Sequence, residues 1–331
     1  MPHERAAASE GNPGRAVIGA LREPDLAEAA RIVRRAFGTF LGAPDPETFW
    51  SDRDYVYGRW CAPHVAALGA TLDGRLVGSN FATKWGSVGF FGPLSVRPDL
   101  QERGVARALL AATMQQFDAW GTRHVGLFTF AQSAKHVALY QKYGFHARFL
   151  TAIMTAPARQ PAAAGGWSRL SALGPDQQRE ALRACREVAE TVYPGLDLSD
   201  EIFATQAQGL GDTVLLEGGS GAGTRGLAAF AVCHYGPRSE AGDGSLFVKF
   251  GAVRDSPSAE ADYLRLLDAC AALAVAVGMP NILLGANLAR EQAYRHLVER
   301  GFRTAIQGVA MHRHNDPGYS RPGVFVLDDW R

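Results

Sequence analysis

The residue order predicts an α/β fold built as two tandem copies of a central mixed sheet (α+β in character), each flanked by helices. Three observations carry this reading. Short strand-like runs and runs with helical apolar spacing follow one another along nearly the whole chain. One Pro/Ala/Gly-rich stretch without periodicity, residues 157–166, interrupts them. The order of elements before it then recurs after it: Val96 to Val253 is 253 − 96 = 157, and Gly144 to Gly301 is 301 − 144 = 157. A single offset without net insertion between the landmarks argues for duplication. The expected division is a disordered tail over 1–14, a first domain over 15–156, a linker over 157–166 and a second domain over 167–331. A length of 331 residues suits two cores better than one.

In the first copy a strand is expected over 16–21, and Pro24-Asp25 opens a helix whose apolar face is Leu26, Ala29, Ile32, Val33, Ala36 and Phe37. Residues 39–63 are irregular, mixing Phe49, Trp50, Tyr55, Tyr57 and Trp60 with Asp45, Glu47, Asp52 and Asp54. Strands follow at 64–71, 75–85 and 87–96, the first two joined by the hairpin turn Asp73-Gly74. A helix opens near Arg103, with Val105, Leu109, Ala112 and Phe117 on one face. A buried strand at 125–130, a helix at 134–143 closed by Gly144 and a returning strand at 149–155 complete the copy. The second copy reads as a helix at 176–192, strands at 213–217, 226–234 and 245–253, a helix at 259–277, a strand at 281–285, a helix at 290–300 and a strand at 304–313.

Composition narrows the function classes. Hydrophobic residues make up 47% and charged residues 20%, ordinary for a globular protein. A net charge of +1 without a Lys/Arg stripe gives no electrostatic reason to expect nucleic acid. No apolar run reaches the roughly 18 residues of a membrane span, and the N-terminal stretch lacks a secretory core. Cys61, Cys185, Cys233 and Cys270 are scattered, as expected of reduced, buried small hydrophobes in a cytoplasmic protein. His312-x-His314 lacks a third ligand and Gly218–Gly223 lacks a following helix, so neither a metal site nor a phosphate cradle is expected there.

The stretch from Gly89 to Gln116 carries the chemistry. A β-rich run ending at Leu94-Ser95-Val96 leads through a polar turn to a helix at Arg103-Gly104-Val105-Ala106. The turn delivers free backbone N–H groups at a helix start, an anion site, and Gly104 and Ala106 let a pyrophosphate approach closely. Gln101-Glu102-Arg103-Gly104-Val105-Ala106 fits Q/R-x-x-G-x-G/A, with Val96 and Pro98 in place for the longer signature, and Ala138–Phe145 is similar to L-Y-x-x-x-G-F. On these motifs the first copy resembles the GNAT superfamily of acyl-coenzyme A N-acyltransferases, and the second copy resembles it more weakly. No Gly-x-Gly turn or Gly-Lys-Ser/Thr supports a Rossmann or Walker site.

The resemblance implies an acyl-coenzyme A site formed by Leu94, Ser95, Val96, Gln101, Glu102, Arg103, Gly104, Val105, Ala106, Arg107 and Ser133. Strand amides near Leu94, Ser95 and Val96 would polarise the thioester carbonyl, with Gly92-Pro93 favouring a bulge. It also implies that Tyr140 protonates the departing thiolate; read without the resemblance, Tyr140 is a half-buried helix residue. Ser133 reads as coenzyme contact or helix cap, and Arg97, Arg103 and Arg107 as phosphate contacts or solvated charges. For the proton acceptor, water, Glu47, Asp52, Asp54 and His64 stay open, and Trp85 is pocket wall or core.

At the 157-residue offset, Gly104 faces Ala261, Ala106 faces Tyr263 and Tyr140 faces Leu297, so the second copy is expected to lack the coenzyme site. The expected function is acetyl transfer from acetyl-coenzyme A to a small-molecule primary amine in a ternary complex, without metal, nucleic acid or membrane, in a monomer or homodimer. Open alternatives are a non-catalytic acyl-coenzyme A sensor and transfer to a peptide amine.

Overall fold

The computed structural model describes residues 16–162, 165–218 and 226–331. The expected tail, two positions of the linker and most of the glycine-rich loop lie outside them. The first half runs β1 (Val17–Ala20), α1 (Leu26–Leu41), α2 (Tyr57–Trp60), β2 (Val65–Leu72), β3 (Arg75–Trp85), β4 (Val88–Phe91), β5 (Ser95–Val96), α3 (Val105–Trp120), β6 (His124–Thr129), α4 (Ala134–Gln141) and β7 (Phe145–Pro157). The second half runs β8 (Trp167–Arg169), α5 (Pro175–Val192), α6 (Ser199–Ala207), β9 (Gly211–Glu217), β10 (Leu227–His234), β11 (Ser245–Val253), α7 (Ala259–Ala276), β12 (Asn281–Asn287), α8 (Glu291–Glu299), β13 (Arg303–Arg313) and β14 (Val326–Leu327).

Local chemistry accounts for most of these elements. Helix α1 buries Leu26, Ala29, Ile32 and Val33 against Leu76 and Phe81, and it stops where Gly42 turns left-handed at φ 70°. Asp73 and Gly74 both take positive φ, as the tight turn between β2 and β3 requires. Helix α3 buries Leu109, Leu110, Thr113, Met114 and Phe117; the Phe117 ring reaches Gly89 so closely that a Cβ there would lie 2.5 Å from it. The strand expected over 87–96 is two strands: from Phe91 to Ser95 is four steps against three from Ala82 to Ser79 on β3, so the chain bulges at Gly92–Pro93–Leu94. The returning strand is longer than expected and takes in Pro157, the first position assigned to the linker. The short α2, α6, β8 and β14 were not foreseen.

The two halves share one sheet, in the order β1-β2-β3-β4-β6-β13-β7-β12-β11-β10-β9-β8. Each half therefore lends its last long strand to the other: β13 pairs with β6, and β7 with β12. The pairing is symmetric under the repeat. Val125 faces Arg313 while Ile282 faces Ala156, and 282 − 125 = 313 − 156 = 157. Thr151 pairs with Gly308, its own counterpart at 308 − 151 = 157, so a pseudo-twofold axis passes between them. The parallel ladders match too: Val88–His124 in the first half and Ser245–Asn281 in the second. The fold is the tandem α/β arrangement that the sequence predicts, interlocked rather than strung on a linker.

Candidate active site

The turn before α3 is the first part of the site. Glu102 and Gly104 take φ of 70° and 80°, a left-handed pair that turns successive N–H groups to one side. Among the described residues no protein acceptor meets the N–H groups of Gly104, Val105 and Ala106; the first bond closing the helix runs from Ala108 N–H to Gly104 O at 3.0 Å. A Cβ at Gly104 would project into open space, so the missing side chain leaves a concavity at the positive end of a 16-residue helix.

Beside this turn, β4 and β6 pair over Val88–Phe90 and His124–Gly126 and then part. The opening leads into a cavity of about 740 Å³. Leu94 and Val96 line it, whereas Ser95 points to the other face, where its Oγ lies 3.2 Å from Ser79 Oγ. Arg97 N–H donates to Val77 O on β3, so by alternation the N–H groups of Val96 and Leu94 face the opening. These residues can therefore receive a thioester arm as one more edge pairing, with main-chain donors at the carbonyl.

Gln101, Glu102, Gly104, Val105, Ala106, Arg107, Ser133 and Tyr140 also line the cavity; Arg103 is exposed outside it. Lys135 Nζ donates to Gln101 Oε1 at 3.3 Å and pairs with Glu102 at 3.5 Å. Ser133 Oγ accepts His136 N–H at 3.4 Å, so it caps α4 while facing the cavity. Tyr143 Oη donates to Arg107 O at 2.7 Å, which ties α4 to α3. Tyr140 packs edge-on against Phe91 with ring centres 5.8 Å apart. Burial pushes its phenol pKa well up, so the hydroxyl keeps its proton.

The proton acceptors proposed from sequence stand elsewhere. Glu47 pairs with Arg35 at 2.9 Å, Asp52 with Arg53 at 3.0 Å, and Asp54 Oδ1 accepts the N–H groups of Val56 and Tyr57. His64 is buried 2.9 Å from Glu201, which also accepts from Trp85 Nε1 at 3.0 Å, so Trp85 is core. Glu47, Asp52, Asp54 and His64 do not line the cavity. His136 does, one helical turn before Tyr140, and burial, with Lys135 next to it, lowers its pKa. It is an uncharged imidazole at neutral pH. Its sequence signal, a polar residue four before the motif tyrosine, was too common to single out.

Phe37, Phe40, Trp50, Tyr55, Phe91, Phe128 and Phe130 are the aromatic part of the wall, closed by Trp330 and Arg331 from the far end of the chain. A buried clamp fixes that closure. Arg59 binds Glu240 through two bonds of 2.8 and 2.9 Å, donates to Gly92 O at the bulge, and donates to Arg331 O at 2.5 Å. Lys249 adds a 2.7 Å bond to Glu240. Burial raises the Glu240 carboxyl pKa, but Arg59 and Lys249 outweigh it and hold it well below the usual range.

In the second half the equivalent opening is filled by the chain itself. Beyond the ladder of Ser245–Val248 with Asn281–Leu284, β11 pairs with β14 at Gly251–Leu327 and Ala252–Val326, and Asp328 N–H reaches Gly285 O on β12 at 3.0 Å. Arg290, fully buried, donates to Val326 O at 3.0 Å and to Asp328 Oδ1 at 2.5 Å. Tyr263 lies in the core against Phe325, ring centres 5.2 Å apart, and Leu297 is buried nearby. Helix α7 starts three residues early: its counterpart to Val105 would be 105 + 157 = 262, yet it begins at Ala259.

Among the described residues no group of three metal-ligating side chains is present, and no helix is long and apolar enough to cross a membrane. His312 packs on His124 at 4.9 Å between ring centres, with its Nδ1 near Asp316 O. Cys185, Cys233 and Cys270 are buried free thiols, but Cys61 is exposed, because it ends the short α2 on the surface.

Residues 31–145 match the profile of the acetyltransferase (GNAT) family. A mycothiol acetyltransferase of Clavibacter michiganensis is 35% identical over 92 residues, which is 28% of this chain and 30% of that protein. A GCN5-related N-acetyltransferase of Sphaerobacter thermophilus has the same fold at TM-score 0.58 and 15% identity, over 92% of this chain and 98% of that one. A tandem GNAT protein from the clavulanic acid biosynthesis pathway superposes at TM-score 0.53 and 12% identity, over 92% and 100%.

Proposed function

We propose, from the match of residues 31–145 to the acetyltransferase (GNAT) family and the tandem GNAT fold of the chain, that the protein moves an acetyl group from acetyl-coenzyme A to a primary amine of a small molecule. One observation carries the reading: the turn at Gly104–Ala106, whose N–H groups meet no acceptor among the described residues, the strand end at Leu94, and Tyr140 all line one cavity. A diphosphate fits the first, since the backbone there is uncovered and positively polarised. The domain division at 15–156 and 167–331 is part of the same proposal, with chemistry in the first half alone. The name of the Clavibacter relative supports the acetyl group as the unit transferred.

In the proposed step the amine nitrogen bonds to the thioester carbonyl carbon and the carbon–sulfur bond breaks. Main-chain donors at Leu94 and Val96 stabilise charge on the carbonyl oxygen. Tyr140 gives its proton to the departing sulfur; His136 or water takes the surplus proton from nitrogen and Tyr140 is reprotonated from solvent. The products are an amide and a free thiol. The test is calorimetric titration with acetyl-coenzyme A followed by thiol release with a mixed amine panel. Micromolar-range binding with amine-dependent thiol release is expected, and absence of binding would sink the reading.

A further inference from the structure

The acceptor end of the cavity is walled by rings. Phe37, Phe40, Trp50, Tyr55, Phe130 and Trp330 line it. The first five touch in sequence, with ring centres 5.6 Å apart for Tyr55–Trp50, 5.4 Å for Trp50–Phe37, 6.3 Å for Phe37–Phe130 and 5.1 Å for Phe130–Phe40. A wall of this kind accepts a flat apolar body edge-on or offset. Rings can also hold a cation, so the surrounding charge has to decide between the two.

That charge is paired off behind the rings. Arg53 lies 5.9 Å from the Trp50 ring centre and Arg59 5.7 Å from that of Tyr55, and neither lines the cavity, so each takes its ring from behind. Arg331 is in the wall, but its guanidinium lies 4.0 Å from the Phe247 ring centre and pairs with Asp329 at 3.1 Å. The carboxylates that balance these groups, Asp52, Glu240 and Asp329, are outside the cavity surface. Among the described residues the one carboxylate in the lining is Glu102, at the coenzyme turn and engaged with Lys135. An ammonium ion entering here would lose water and find, among the described residues, no free side-chain carboxylate in the lining to replace it.

We propose, resting on the acetyl-transfer reading, that the acceptor is an aromatic amine bound uncharged, its ring against this wall and Trp330 as the floor. Trp330 suits that part because it is held from both halves. Its ring covers Gly126, where a Cβ would lie 2.1 Å away, at the last pair of the β4–β6 ladder. Its Nε1 donates to Tyr319 Oη at 2.8 Å, and Tyr319 donates to Asp328, the residue anchored in the filled second opening. The second half thus contributes the depth of the acceptor pocket instead of a coenzyme site.

The experiment compares aniline, benzylamine, 2-naphthylmethylamine and spermidine as acceptors, reading kcat/KM from thiol release with acetyl-coenzyme A, alongside calorimetric affinity for the coenzyme. The wild type is expected to prefer the single-ring amines over spermidine by about tenfold or more. Trp330→Ala should raise the naphthyl-to-benzyl ratio by about tenfold, the scale of a pocket-size change, with coenzyme affinity unchanged. Phe40→Ala, at a site 39% exposed where folding is spared, should raise KM for benzylamine about tenfold. Preference for spermidine, or an unchanged acceptor ranking in both variants, overturns the proposal. Coenzyme binding without acetylation of any aromatic amine overturns it while leaving the coenzyme site standing; loss of coenzyme binding in the wild type sinks both.

Discussion

The same opening in the sheet occurs twice in this molecule and is used in opposite ways. In the first half β4 and β6 part after three residue pairs and leave a cavity edged by unmet N–H groups. In the second, β11 and β12 part after four, and residues 325–328 run into the gap and bond to both strands. The buried polar groups of a splayed sheet must find partners. A ligand can supply them, or the chain can. Once the chain does so, glycine at the helix start has no use, and Ala261 sits inside an α7 begun early, with Tyr263 turned into the core.

The largest effect expected from breaking this contrast is on coenzyme binding. Gly104→Trp forces a bulky side chain into the concavity at φ 80° and should abolish calorimetric binding of acetyl-coenzyme A, whereas Ala261→Trp, on an exposed helical position, should leave it intact. Binding lost in the second variant and kept in the first would reverse the assignment. Next comes the clamp between the halves. Arg59→Met leaves the buried Glu240 carboxylate with Lys249 as its partner and one oxygen unmet, and should cost about 2–3 kcal/mol of stability, measured by urea unfolding; a cost below about 1 kcal/mol would show that the clamp contributes little. Tyr140→Phe should lower kcat about a hundredfold with coenzyme affinity unchanged. Its counterpart Leu297 has no proton to give, so Leu297→Ala should alter stability and not the chemistry.

The effect smallest at any one pH step is on pH dependence. His124 is held to a pKa of about 4 by burial, only partly offset by Asp316, and its counterpart in the second half is Asn281, at 281 − 124 = 157. The unfolded chain binds a proton at this residue below about pH 6.5 while the folded chain stays neutral down to about 4. Stability therefore falls as pH drops through that window. His124→Asn should remove about 1.4 kcal/mol per pH unit of that slope, and an unchanged slope in urea midpoints between pH 6.5 and 4 would exclude His124 as its source.

What the sequence determined by itself is local. A helix start, a left-handed glycine and an apolar face are set by neighbours a few residues apart, so the turn at Gly104, the cap at Ser133 and the register of 157 were legible before any coordinates. The second half's departure from the motif is likewise legible in Ala261, Tyr263 and Leu297. The exchange of β7 and β13 was not legible, because both strands carry apolar alternation that either half could pair, and only the twofold contact at Thr151–Gly308 selects one arrangement. The proton acceptors were misplaced for a related reason: a carboxylate in an aromatic insert looks free until its partner, such as Arg35 for Glu47 or Arg53 for Asp52, arrives beside it. Trp330 and Arg331 lie two hundred or more positions from the rings they close upon, and no spacing rule reaches that far. Burial and charge pairing are properties of the assembled chain, and they decided what fills each opening.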